Sequence, residues 1–424
     1  MNDDVVAEIL LRLPSDAVLR SRTVCKAWRR ITTSPAFLAA HARLRPLEII
    51  VQRHGVSGAQ LDTIPLPTLD ETRRRCLQVR YPEYTGPPEP CWRGYSLIGS
   101  CEGLLLFERG VGIDHFVCNP ITRRWTMLPR PTGDFSQLLG FYLHGPSGEH
   151  RLLFHTDDQQ GSHYICSPQV AGTRRLGQAI PVHGGFWTEN PVVYLNHRGR
   201  LHWLRHPPVV FSTDDAQRPE AGDKILAFDT VSETFRRISP PPPRSDRYFG
   251  EQFFLLETDG KLSMTDILKG SMDLWVLEDY SNDRSWTRRL RVDLPPSLLR
   301  ASWAMNSGMD GQNVILLGAS SSCSVGLYDL TRKRLLKQIY FVTSGWPGDS
   351  VRRHRTPLRA LVFRDSLERH TPLHARDSLE WHAFFDLRHP NKYAWSSGDQ
   401  SLGAGHSGGD NVCLQKDPQK ECPG

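Results

Sequence analysis

A chain of 424 residues with 39% hydrophobic content is too long for one ordinary core and has apolar material for more than one. Its 52 basic and 46 acidic residues are interspersed, and a formal net charge of +6 argues against a dominant nucleic-acid surface. Nine cysteines, an odd number without close pairing motifs, argue against a disulfide framework and for a reducing compartment.

The opening MNDDVVAEILLRL has no basic leader and carries Glu8 and Arg12 inside its apolar run, so it is not expected to be a secretory signal. No run reaches the roughly 20 apolar residues of a membrane span, so no membrane partner is expected and the cytoplasm or nucleus is the expected location. Asp3 and Asp4 are expected to cap a first helix in which Val5, Val6, Ile9, Leu10 and Leu13 share one side. Pro14 ends it. Ser15 or Asp16 then caps a second short helix through Val18 and Leu19, and a third carries Val24, Cys25, Ala27, Trp28 and Ile31. Their apolar side chains point into a small core or onto a partner, while Arg22, Lys26, Arg29 and Arg30 face water. Ser34 followed by Pro35 is a cap and first-turn pair for a fourth helix through Phe37 and Leu38. A unit of about 45 residues buries too little surface to be comfortably stable alone, which points to an apolar partner surface.

The segment VVAEILLRLPSDAVLRSRTVCKAWRRITTSPAFLAAH resembles an F-box, in which a helix ending in Leu-Pro, a second Leu-rich helix, Val-Cys-Lys-x-Trp-Arg and a closing Pro-x-Phe follow one another. The resemblance implies docking on the Skp-family adaptor of a cullin ubiquitin ligase, with Ile9, Leu10, Leu13, Pro14, Val24, Cys25 and Trp28 as the adaptor-binding candidates. Met1 and Asn2 stand where F-boxes usually carry Leu-Pro. Two readings therefore stay open: adaptor docking, or an adaptor-independent propeller scaffold or binding protein with a degenerate helical motif.

After Pro46 the texture changes to alternating apolar and polar residues with Gly and Pro turns, which reads as all-β. Four segments share one grammar: a Gly-containing turn, an apolar strand, a strand ending in Asn-Pro or Asp-x, a polar turn, and a strand with an aromatic or apolar residue. They begin near Gly103, Gly199, Gly260 and Asn313. Phe235 and Trp286 stand 51 positions apart, and the stretch from Phe141 fills a gap as a weaker copy. A period near 50 in all-β sequence is the mark of a propeller, and with LEIIVQR and CLQVRY ahead of the first clear copy about six blades fit. Neither the paired-glycine kelch signature nor the Trp-Asp ending of WD repeats recurs. Phrases such as GLLL, CNPITRRW, LHWL and FDT followed by ETFRRI resemble, in this order, the F-box-associated, kelch-like propeller domain of plant F-box proteins. That resemblance implies a propeller that binds the protein to be ubiquitinated.

The expected organisation is multidomain, α plus all-β: a helical F-box at 1–45, a β-propeller of about six blades at 46–350, and a tail at 351–424, partly helical and then disordered. Asp229, Asp329 and Asn119-Pro120 are expected to form turns, with each Asp side chain satisfying local backbone donors. Trp92, Trp125, Trp187, Trp203, Trp275 and Trp286 are expected to pack between blades. No zincin pair, close Cys pair or phosphate-cradling Gly loop occurs, so no metal, cofactor or catalytic residues are expected. GWPGDS at 345–350 and HSGGD from His406 superficially resemble hydrolase serine blocks but lack the strand-to-helix setting of a nucleophile elbow. TPLRALVFRDSLERH from Thr356 is nearly duplicated by TPLHARDSLEWH from Thr371, and this material, with His370, His374 and His382, reads as a solvated helix or disordered tail.

Overall fold

The computed structural model describes residues 2–54, 58–66, 68–80, 95–109, 114–128, 136–156, 162–168, 170–177, 195–204, 225–242, 252–268, 270–298, 301, 303–306, 313–319, 324–341 and 360–367. Four helices come first: α1 (Asp3–Arg12), α2 (Ser15–Ser21), α3 (Lys26–Thr33) and α4 (Pro35–Leu44). The strands then follow blade by blade. Blade 1 takes β1 (Leu47–His54), β2 (Gly58–Pro65) and β3 (Arg75–Arg80). Blade 2 is β4 (Tyr95–Cys101), β5 (Leu104–Arg109), β6 (Asp114–Asn119) and β7 (Arg124–Met127). Blade 3 is β8 (Ser136–His144), β9 (Glu149–Thr156), β10 (His163–Ser167) and β11 (Val170–Arg175). Blade 4 is β12 (Leu195–His197), β13 (Arg200–Trp203), β14 (Ile225–Asp229) and β15 (Thr234–Ile238). Blade 5 is β16 (Gln252–Thr258), β17 (Lys261–Leu268), β18 (Ser271–Leu277) and β19 (Trp286–Asp293). Blade 6 is β20 (Trp303–Asn306), β21 (Val314–Ala319), β22 (Ser324–Asp329) and β23 (Arg334–Tyr340), and β24 (Ala360–Arg364) ends the series.

These strands make six antiparallel sheets of four strands among the described residues, a six-bladed propeller. Its core is not one cluster but six, one between each pair of neighbouring blades. The alternation of side chains along a strand explains this arrangement. Ile315 and Leu317 on β21 pack toward blade 5, whereas Val314 and Leu316 on the same strand pack toward blade 1. Likewise Ile49 and Val51 join blade 6, while Ile50 joins blade 2. Both faces of such a strand are dry, so it reads as a near-continuous apolar run.

The repeat grammar has a backbone counterpart. Between the first two strands of blades 2, 4 and 5, the pairs Glu102-Gly103, Arg198-Gly199 and Asp259-Gly260 all have positive φ, the requirement of the tight primed hairpin turn. Between the last two strands, Asp229 Oδ1 accepts from the Val231 and Ser232 N–H groups at 3.0 and 2.9 Å, and Asp329 Oδ1 accepts from Thr331 and Arg332 at 2.9 and 2.9 Å. Asn119 Oδ1 accepts likewise from Ile121 and Thr122 at 2.9 and 3.0 Å. Each of these turns closes on a left-handed residue, Arg123, Glu233 or Lys333. The expected Asx turns are present in blades 2, 4 and 6.

The expected packing role of tryptophan holds where it is described. The Trp203 indole N–H donates to Leu139 O of blade 3 at 2.6 Å, and that of Trp286 donates to Ser239 O at the end of blade 4 at 2.7 Å. Trp125 packs against the cluster between blades 1 and 2, and Trp275 against the one between blades 4 and 5. Trp92 and Trp187 lie outside the described residues, as do GWPGDS, HSGGD and the three tail histidines.

One expectation needs correction. The propeller does not stop at residue 350, because β24 pairs antiparallel with β1 as the fourth strand of blade 1, placing Leu361 opposite Ile50 and Phe363 opposite Glu48. The first of the two near-duplicate segments is therefore the strand that closes the ring, rather than a solvated helix or tail. Phe363 is 1% exposed and belongs to the cluster between blades 1 and 2. A blade built from β1, β2 and β3 alone would leave that apolar surface uncovered. The second copy lies outside the described residues.

Candidate docking surface on the helical domain

The helices are set by their caps. Asn2 Oδ1 accepts from the Asp4 N–H at 3.2 Å, so the cap of α1 falls one residue before the expected acidic pair. Asp3 and Asp4 instead occupy the first turn, where carboxylates complement the helix dipole. Pro14, not Ser15 or Asp16, holds the cap position of α2, without a side-chain hydrogen bond. Ser34 Oγ accepts from Phe37 N–H at 3.3 Å with Pro35 in the first turn, as the sequence predicts.

The end of α1 is tied to α4 through its own carbonyls. Arg45 donates from Nη1 to Leu13 O at 2.8 Å and from Nη2 to Leu11 O at 3.1 Å, while His41 Nε2 sits 3.0 Å from Leu13 O. These donors satisfy acceptors that the helix terminus leaves without intrahelical partners. Burial pushes the His41 imidazole below its ordinary value; the Leu13 carbonyl opposes that shift, and the Arg45 and Arg22 charges reinforce it.

The helical core contains Val6, Leu10, Val18 and Phe37, with Leu13, Trp28 and Ile31 packed against it. Two residues of the propeller complete it: Ile121, in the turn between β6 and β7, and Leu367, just past β24, at 3% and 1% exposure. The helices are therefore seated on the propeller through a shared apolar contact. Part of the face expected to need a partner is covered by the chain itself.

The apolar stripe of α1 is thus divided. Val6 and Leu10 point inward, whereas Val5 and Ile9, one residue back on the wheel, are 51% and 53% exposed. Of the adaptor-binding candidates, Ile9, Pro14, Val24 and Cys25 are exposed, Leu13 and Trp28 are half-buried, and Leu10 is 1% exposed. Leu10 is corrected to a core residue: it contacts the interior and has no surface to offer. Cys25, expected to point into the small core or onto a partner, is exposed and caps α3, its Sγ accepting from the Trp28 N–H at 3.5 Å. Val5 and the 58% exposed Leu44 belong to the open apolar surface without having been singled out as adaptor-binding. For Val5 the signal was its membership of the α1 stripe, with Ile9 one turn on.

Among the described residues no group of three or more His, Cys, Asp or Glu side chains is placed to hold a metal ion, and Cys25, Cys101, Cys118 and Cys166 are free thiols. Burial pushes the Cys166 thiol up to about 12, the setting of an inert packing cysteine.

Residues 1–39 match the family described as "F-box domain", and residues 93–347 match "F-box associated beta propeller domain". The second match ends before the closing strand β24. The F-box protein At5g49610 of Arabidopsis thaliana is 26% identical over 318 residues, covering 67% of this chain and 77% of the relative. The F-box protein At5g18160 of the same plant is 25% identical over 312 residues, covering 69% and 71%. A chain of the nidogen/laminin complex crystal structure aligns with a TM-score of 0.40 at 10% identity, covering 70% of this chain and 94% of that one.

Proposed function

Because this chain belongs to the F-box proteins that carry an F-box associated β-propeller domain, we propose that it recruits a target protein to a Skp, cullin and F-box ubiquitin ligase and has no catalytic residues of its own. Its helical domain docks the adaptor, and its propeller holds the target. The observation that carries this reading is the division of the helical domain. One apolar face is seated on Ile121 and Leu367 of the propeller, while Val5, Ile9 and Val24 remain open to a partner. A large apolar side chain left in water forgoes roughly 1.5–3 kcal/mol, which a docked adaptor supplies.

The mechanism is proximity. Holding the adaptor at one end and the target at the other raises the effective concentration of target lysines near the charged conjugating enzyme. The shared core between helices and propeller makes that spacing defined rather than loose. Cytoplasm or nucleus is the location this role requires.

A second reading has its own observation. Since Ile121 and Leu367 already cover part of the helical core, the domain does not depend on an adaptor to hide that part, and an adaptor-independent binding protein accounts for the same contact. Co-purification decides between the two. Under the first reading the intact protein retains a Skp-family adaptor, and Ile9→Asp with Val24→Asp loses it while melting at the same temperature. An intact protein that captures no adaptor leaves the second reading standing.

A further inference from the structure

The helical domain and blade 2 form an open cleft of about 650 Å³ whose eight lining residues include Arg22, Lys26, Arg29, Thr122 and Arg124. Four of the eight lining residues are cationic and none is a carboxylate. In a chain with 52 basic and 46 acidic residues this local imbalance is not the background composition.

The cations come from both walls of the cleft. Lys26 and Arg29 lie one turn apart on α3, so both project from one face of that helix. Arg124 is the first residue of β7, placed by the Asn119 turn and the left-handed Arg123 before it. Arg22 is anchored through a 2.8 Å bond from Nη2 to Thr32 O. Thr122 Oγ1, in the wall of the cleft, is buried without a hydrogen-bond partner among the described residues.

Like charges converging on a concave surface repel one another and concentrate positive potential there, a state that a multivalent anion relieves. Guanidinium groups suit phosphate in particular, because their planar fork donates two parallel hydrogen bonds. The volume falls within the range of small-molecule sites and exceeds what one phosphate fills. We propose that this cleft binds a small soluble polyphosphorylated molecule, which bridges α3 and the β6–β7 turn and so locks the helical domain on the propeller.

The test is calorimetric titration of the full-length protein with sodium tripolyphosphate at constant ionic strength, alongside thermal melting. Saturable one-to-one binding that weakens with added salt and raises the melting temperature is expected. Arg29→Gln with Arg124→Gln should weaken it about a hundredfold, and Arg29→Lys with Arg124→Lys should retain most of it. Arg237→Gln with Arg334→Gln removes the same charge from exposed strand positions and should leave binding unchanged. A doubly phosphorylated serine peptide in place of tripolyphosphate identifies the source of the phosphate groups; tighter binding of the peptide would overturn the small-molecule assignment. Absence of saturable binding, or an equal loss in the control pair, would overturn the site itself. Unchanged melting of the ligand-free variants separates either result from misfolding.

Discussion

Arg75 and Asp365, 290 positions apart, meet in a two-pronged contact: Nη1 donates to Oδ2 at 3.1 Å and Nη2 to Oδ1 at 3.0 Å. Arg75 Nη2 also donates to Glu48, so a half-buried guanidinium on β3 joins two buried carboxylates, from β1 and from the end of β24. Burial raises the Glu48 carboxyl above its ordinary value despite Arg75; burial also opposes the Arg75 charge, but Asp365 and Glu48 outweigh it and hold the guanidinium firmly charged. The geometry favours a charged pair that is costly to bury and costlier to break.

Ring closure should therefore depend on residues 360–367. A chain ending at residue 350 is expected to lose cooperative unfolding in scanning calorimetry, whereas one ending at residue 367 should melt as the full chain does. In the full chain, Phe363→Ala should cost about 3–5 kcal/mol by chemical denaturation, the usual loss for a buried phenylalanine. A chain ending at 350 that melts normally would rule out closure by β24.

The helical domain should weaken on mild acidification. His41 is 0% exposed, gives its Nε2 to Leu13 O, and leaves Nδ1 buried without an acceptor, so a second ring proton has no place to bond. Its folded pKa lies below the ordinary 6.5, so the unfolded chain takes up a proton first as pH falls. Stability is thus unaffected above that value and is lost between it and the lowered folded value. The unfolding free energy of the native protein should fall relative to His41→Gln as pH drops below the ordinary 6.5, and parallel curves would refute the assignment.

Leu10 and Ile9 are neighbours with opposite environments and should respond oppositely. Leu10→Ala should destabilise the protein by about 2–5 kcal/mol, because it empties a site shared by α1, α4 and the propeller. Ile9→Ala should change stability by less than about 1 kcal/mol and act on adaptor capture alone. Denaturation curves read beside co-purification separate the two. Loss of adaptor binding in a Leu10 variant is consequently no evidence for direct contact.

Gly103 of blade 2 lies directly against the closing segment. Its φ is +82°, and an added Cβ would lie 2.2 Å from Ser366 Cβ. Gly103→Ala should combine the left-handed cost of about 1–2 kcal/mol with an overpacking cost of about 1–3 kcal/mol. Gly148→Ala, also at positive φ but with open space around its Cβ, is the control that reports the backbone cost alone.

Much of this architecture was legible in the residues because it is local. A primed turn needs two residues that tolerate positive φ, and an Asx turn needs a short acceptor, so Glu102-Gly103, Asp229 and Asp329 announce themselves without reference to the rest of the chain. Blade 3 was visible only as a weaker copy, and its turn into the last strand lacks the Asn or Asp acceptor that marks blades 2, 4 and 6. Five apolar-rich residues in a duplicated tail gave no sign of being a strand, since β24 is defined by its pairing with a partner more than 300 positions away.

The sequence by itself determined the helix series with its Ser34-Pro35 cap, the repeat of about 50 residues and the turn chemistry of the blades, because each rests on neighbours within a few positions. Only the tertiary structure decided that β24 closes the ring, that Leu10 faces Ile121 and Leu367 while Ile9 faces water, and that Arg124 comes beside Lys26 and Arg29. Those outcomes depend on contacts between segments distant in the chain. Side-chain periodicity states that a face is apolar or basic; only packing states what covers it.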